Sequence, residues 1–318
     1  MTDRPLTVRH YVPEADRGLW DDFVSKARNS TFLHMRGYMD YHSHRFRDSS
    51  LMVSDGDTLV AVFPADRRDD GTVCSHGGLT YGGLLTAPAV TQSAVIEAFA
   101  GINALLRAEG CVGVVYKPVP HIYHRLPAEE DLYALFACCG ARLEARAVAS
   151  VIDTGSPLAF SQNRRRGVRK AQKAGVVIET DSADYAAFWK ILADNLAERH
   201  GVAPVHTIDE MMLLGSRFPD NIRLNVARID GEVVAGCVTY QCGPEVTHVQ
   251  YISASDAGRD CGALDLLFQT LICGCGSRFF DFGISTERGG AVLNHGLIHQ
   301  KEGFGARAVC YDAYAYDL

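Results

Sequence analysis

Long apolar runs are missing from this 318-residue chain. Charges or glycines interrupt every such stretch well short of the ~20 residues that a membrane-spanning helix needs. The opening MTDRPLTVRHYVPEADRG lacks the apolar centre of a secretion signal, so the cytoplasm is the expected location. A zinc-type cysteine pattern is missing as well. The chain has ten cysteines, but Cys273 and Cys275 form a lone CxC and no CxxC pair accompanies them. Cys138 and Cys139 are adjacent, and Cys111, Cys237 and Cys310 sit in strand-like apolar runs, so the thiols are expected to be small packing groups. His121 and His124 have a spacing that could hold a metal on a helix, but Pro118 and Pro120 oppose a helix there, and no metal is expected. Positive charge is also scarce. A net charge of −7 excludes a broad basic surface for nucleic acid, though not a local basic patch.

Hydrophobic residues at 47% and charged residues at 22% are enough to build a buried core. In the first half, 17–29 and 35–46 have helical spacing, and 50–67 reads as two strands about a DGD turn. The glycine-rich 75–85 follows, then an amphipathic helix over 91–110 and a buried strand over 111–120. A short helix at 127–140 and a strand at 141–153 close that half.

The second half repeats the pattern without repeating the residues. Helices are predicted over 182–201, capped by Ser182 or Asp181, and over 207–218, where Thr207 and Glu210 have capping-box spacing. Three antiparallel strands follow over 221–255, then a helix over 262–276 and strands over 277–286 and 307–318. This predicts an α/β (α+β) protein of two domains, 1–155 and 156–318, each a mostly antiparallel mixed sheet flanked by helices. One continuous α/β domain is the alternative.

Three stretches carry a family resemblance. YISASDAGRDCGALDLLFQTLI (251–272) is similar to the donor-binding element of GNAT acyltransferases, with Gly258, Arg259 and Gly262 present although the usual glycine spacing is not reproduced. SQNRRRGVRKAQKAGV (161–176) resembles the basic segment of Fem-type aminoacyltransferases. So do FFDFGIST (279–286) and HQKEGFGA (299–306), where Lys301, Phe304 and Gly305 stand in place while His299 and Gln300 replace the usual aromatic lead. The chain is thus identified as a member of the Fem-like, tandem-GNAT acyltransferases. That resemblance implies two GNAT-like domains and transfer of an acyl or aminoacyl group to an amine. The long helical-hairpin arm of several cross-bridge enzymes is absent from this sequence.

The chemistry sets two demands: a deprotonated amine and a stabilised oxyanion. An alkyl ammonium of pKa ~10.4 gives up its proton at pH 7 at a cost of about 4.6 kcal/mol, which a carboxylate or histidine base offsets in part. Lys301 is the first candidate, as a cation near the transferred carbonyl. Asp281 alternates with Phe280 and Phe282 in an apolar strand, where a carboxylate needs a partner or a role. His248 is a candidate base. Tyr251, Gly258, Arg259, Gly262, Phe304 and Gly305 are expected on the donor side. Arg166, Arg169 and Lys170 share a helical face suited to phosphates. His76, Tyr81, Lys117 and His121 cluster beside glycines and prolines and suggest an acceptor pocket.

The expected function is transfer from acyl-CoA, or a similar activated carrier, to the amine of a small molecule such as an amino sugar, an amino acid or a natural-product intermediate. No tightly bound cofactor is expected. An aminoacyl-tRNA-dependent ligase of Fem type is the second reading, and a non-catalytic binding protein on the same fold is the third.

Overall fold

Thr91 caps the helix Gln92–Ala108 by accepting from the Ala94 amide at 3.4 Å, and its buried Val95, Phe99, Ile102 and Leu106 recur at helical spacing. In the computed structural model, which describes residues 5–318 except the side chains of Arg199 and His200, this helix forms one wall of the first core. The chain divides into two units. The first takes the described residues up to Ala147 together with Arg288–Ala291 and Cys310–Leu318, and the second takes Val148–Glu287 and Val292–Val309.

In the first unit, Thr7–His10, Leu51–Asp55, Thr58–Phe63 and Leu85–Thr86 form a four-stranded antiparallel sheet. A second group joins Asp66–Arg67, Thr72–Cys74, Gly113–Tyr116 and the end of Arg307–Asp317. The end of that last strand pairs with Gly113–Tyr116, Tyr314 opposite Tyr116, which is why its residues from Cys310 onward belong here rather than to the second domain as the sequence suggests. The expected boundary at 155 also moves, to Ala147. The helix expected over 35–46 is only Arg36–Met39, flanked by 3-10 turns at Phe32–His34 and Asp40–His42.

The second unit follows the expected order closely. Its strands run from the second half of Arg142–Asp153, beginning at Val148, through Phe279–Ile284, Val246–Ala254, Glu232–Cys242 and Ile222–Ile229 to Val177–Glu179 across the sheet. All neighbours are antiparallel except Val246–Ala254 and Phe279–Ile284, which run parallel. Helix Ile208–Arg217 carries the capping box of Thr207 and Glu210, whereas helix Tyr185–His200 is capped by Asp184 and not by Ser182 or Asp181. An unexpected short helix, Asp256–Cys261, precedes Ala263–Cys273. Phe268, Phe280, Phe282 and Phe304 pack together in the core, each worth about 1.5–3 kcal/mol when fully buried. All ten cysteines are free thiols.

Candidate active site

Strand alternation sends Phe280 and Phe282 into the aromatic core against Phe268 and leaves Asp281 on the other face. Asp281 is fully buried, and a carboxylate there must be hydrogen-bonded. Its Oδ1 accepts from the Gly283 amide at 2.7 Å, and its Oδ2 lies 2.8 Å from His248 Nδ1. A carboxylate at Nδ1 fixes the proton on that nitrogen and makes Nε2 the proton-accepting atom. Gly283 has φ +69° and sits in the irregular stretch of the strand, and a Cβ on it would lie 3.1 Å from His248 Cε1. Glycine here supplies both the backbone turn and the room for the ring.

His248 opposite Asp281 is the last of three rungs joining the two parallel strands, after Val246 opposite Phe279 and Thr247 opposite Phe280. Val246–Ala254 continues for six residues beyond that rung without pairing to Phe279–Ile284. Its other edge carries an irregularity between the Val238 and Thr239 pairings, which leaves Gln250 unmatched. The sheet therefore opens just past the histidine–aspartate pair.

A cavity of about 550 Å³ occupies this region, lined by Ile252, Ser253 and Ala254 of one parting strand and Phe282 of the other, with Leu192, Asn195, Leu264, Phe268, Leu297, Lys301 and Phe304. Asn294 accepts from the Leu297 amide at 3.0 Å and starts the helix His295–Glu302, which carries Lys301. Lys301 is only 4% exposed. Its Nζ donates to the carbonyls of Gly283 at 2.9 Å and Ile284 at 2.8 Å, on the parting strand itself. An ammonium has three N–H groups, so one remains beyond those two bonds. Burial pushes this lysine down to about 8, opposed by the attraction of Asp281.

A second cavity of about 370 Å³ shares Arg259, Leu264, Gly296 and Gln300 with the first and adds Arg164, Gly258, Gly262, Asp265 and His299. Helix Ala263–Cys273 begins here, after Gly262 at φ +80°, with no side-chain cap on its first amides. Uncapped amides and the helix dipole favour an anion at that end. Arg259 is braced by Asn195 Oδ1 at 3.0 Å and the Ala254 carbonyl at 2.5 Å, and it pairs with Asp256. Arg164 pairs with the buried Asp265 at 2.5 Å, and burial raises that carboxyl.

The structure thus gathers Lys301, Phe304 and Arg259 around the first cavity and Gly258, Arg259 and Gly262 around the second. His248 and Asp281 stand at the root of the opening without lining either cavity. Tyr251 faces elsewhere, its hydroxyl 2.5 Å from His206 Nδ1 and its ring against Trp189. Gly305, with φ +90°, packs on the Leu158 carbonyl. Arg166, Arg169 and Lys170 are exposed on helix Gln162–Lys173. In the first unit His76 and Tyr81 are buried, Lys117 Nζ is held by the carbonyls of His76 at 3.0 Å and Leu79 at 2.5 Å, and the exposed His121 begins a 3-10 turn whose Ile122 and Tyr123 are buried. None of the four lines the two cavities described above. Sequence reading missed Gly283, Asn195, Asn294 and Gln300. An isolated glycine inside the FFDFG strand was a readable sign of a bulge; the other three gave none.

Residues 159–288 match the acetyltransferase (GNAT) domain family. Among solved structures, FemX is similar to this chain with TM-score 0.68 and 13% identity, covering 98% of this chain and 97% of that one. L-PGS from Bacillus licheniformis matches with TM-score 0.63 and 14% identity over 97% of this chain and 92% of its own. A tandem GNAT protein from the clavulanic acid biosynthesis pathway matches with TM-score 0.55 and 14% identity over 98% of both chains. A comparison with curated proteins finds no significant match.

Proposed function

We propose, from the premise that this chain is a Fem-like member of the GNAT superfamily with its acetyltransferase domain at residues 159–288, that it transfers an acyl group from acyl-CoA or a similar thioester to the amine of a small molecule. The observation that carries this reading is the buried Lys301 in the wall of a cavity that opens where two parallel strands part, with His248 and Asp281 at the vertex. In this reading the thioester arm enters the larger cavity. Its phosphates meet Arg259 and the uncapped start of helix Ala263–Cys273 in the smaller one. The amine nitrogen attacks the thioester carbonyl carbon while its proton passes to His248 Nε2, and Asp281 steadies the imidazolium through Nδ1. The third N–H of Lys301 supports the oxyanion, a contribution of ~2.7–4 kcal/mol for one such donor. Collapse breaks the C–S bond, and the thiolate leaves and takes up a proton.

Incubation with acetyl-CoA and longer acyl-CoAs across a panel of amino sugars and amino acids, with release of free thiol as the readout, tests this. Thiol release that requires an amine supports it. No turnover with any thioester, and no mass corresponding to a CoA complex in native mass spectrometry, would sink it.

A second reading has its own observation. Arg165, Arg166, Arg169, Lys170 and Lys173 are all exposed on one helix of an otherwise acidic chain. Such a face suits the phosphates of an aminoacyl-tRNA donor, with the aminoacyl ester in place of the thioester.

A further inference from the structure

The first unit contains a cleft of different chemistry, about 590 Å³ in volume and lined by residues 43–47, 66–69 and Gly77. Residues 43–47 leave the 3-10 turn Asp40–His42, and Asp66–Arg67 is a short strand paired to Thr72–Cys74. The Arg67 amide donates to the Arg47 carbonyl at 2.9 Å, which ties the two runs side by side. That pairing brings Arg45, Arg47, Arg67 and Arg68 to one cleft, with only Asp66 and Asp69 as lining carboxylates.

Those carboxylates offset the arginines only in part, through the attraction of Arg68 to Asp66 and to the neighbouring Asp70. Asp66 is 4% exposed and takes the Gly77 amide. The neighbouring Asp48 is engaged by Arg36. Arg67 reaches the Glu109 carbonyl at 3.3 Å, and Arg45 Nε contacts His44 at 3.2 Å. Arg47 and Arg68 are both exposed. Four guanidiniums therefore share the lining of this cleft with two carboxylates. Like charges gathered in one cleft repel one another. A bound dianion reverses that sign, and the guanidinium fork fits phosphate oxygens.

We infer that this cleft is a binding site for a phosphate ester, gripped by Arg47 and Arg68 and flanked by Arg45 and Arg67. The inference stands on the first unit alone and does not depend on acyl transfer. The other class of ligand that such a cluster could meet, a polynucleotide, is less favoured. The cations line a cleft of small-molecule size rather than an extended stripe, and two carboxylates sit among them.

The test uses the full-length protein, with ³¹P line broadening of inorganic phosphate and of glucose 1-phosphate as probes at constant ionic strength. Both probes are expected to broaden saturably with wild type, and the double variant Arg47→Gln/Arg68→Gln to weaken both at least tenfold. An Arg142→Gln control, at an exposed arginine outside the cleft, leaves them unchanged. Arg47 and Arg68 are not core residues, so circular dichroism and melting are expected to match wild type. Equal broadening in wild type and the cleft variant, or loss in the Arg142 control instead, overturns the proposal. So does bulk RNA that binds more tightly than either probe and is lost in the same cleft variant.

Discussion

Lys301 uses two of its N–H groups on the Gly283 and Ile284 carbonyls, and the role proposed for the third has separable consequences. Lys301→Met removes an ammonium whose burial, with the pKa lowered from 10.5 to about 8, costs the fold roughly 3 kcal/mol at neutral pH. It also leaves two carbonyls without their donor, at about 1–3 kcal/mol each. These nearly cancel, so a small change in melting temperature is expected while kcat falls about 100-fold or more. The sign of the pH effect can be worked out. Between about 8 and 10.5 the unfolded chain holds more protons at this position than the folded one, so wild-type stability rises across that window. Urea titrations at several pH values check this, and Lys301→Met is expected to lose the rise. Below about pH 8 the lysine is charged, so an oxyanion role predicts a rate that falls as pH climbs through that value. Lys301→Arg should move that limb upward; an unmoved limb assigns it to another group. Gly283→Ala tests the neighbouring contact. A methyl 3.1 Å from the His248 ring, on a residue at φ +69°, is expected to destabilise by about 1–3 kcal/mol. It should also lower kcat more than it raises KM, because it displaces the base rather than the donor.

At the scale of elements, the strands over 221–255 and the helices at 91–110 and 207–218 were legible because alternation, capping residues and turn glycines agreed with one another. The short helix Asp256–Cys261 was not, since its sequence reads as a loop between Ser255 and Gly262. Lys301 was a candidate through the family resemblance, and the element that carries it was not readable. Asn294 caps a helix that carries it inward. The His248–Asp281 contact was invisible, because it depends on which strands become parallel neighbours over only three rungs. Gly258 was read as an anion-binding glycine, yet its amide donates to Ser255 Oγ and a Cβ there would lie 2.1 Å from the Val234 carbonyl. Gly258→Ala is therefore expected to act through packing. Forcing backbone apart costs about 1–3 kcal/mol, and a lowered melting temperature should accompany any rise in the KM for acyl-CoA. A raised KM with unchanged melting would restore the anion-binding role.

For the whole molecule, charge separates the two donors. The acidic total disfavours RNA over most of the surface, and the helix Gln162–Lys173 is a local exception. That helix packs inward through Val168 and Ala171 and turns Arg165, Arg166, Arg169, Lys170 and Lys173 outward. Exposed cations of this kind contribute little to stability, so replacing Arg165, Arg166 and Arg169 by glutamine should change unfolding free energy by less than about 0.5 kcal/mol. The functional outcome then divides. With a thioester donor, kcat/KM stays within about twofold of wild type and ribonuclease has no effect. With an aminoacyl-tRNA donor, every arginine–phosphate pair that the substitutions abolish reduces the slope of log K against log salt by about 0.9 for duplex regions and about 0.7 for single strands. The triple variant then binds RNA more weakly and with less salt sensitivity, and ribonuclease abolishes turnover. Measuring thiol release, with an amine that supports turnover, and RNA binding on the same two preparations distinguishes these outcomes.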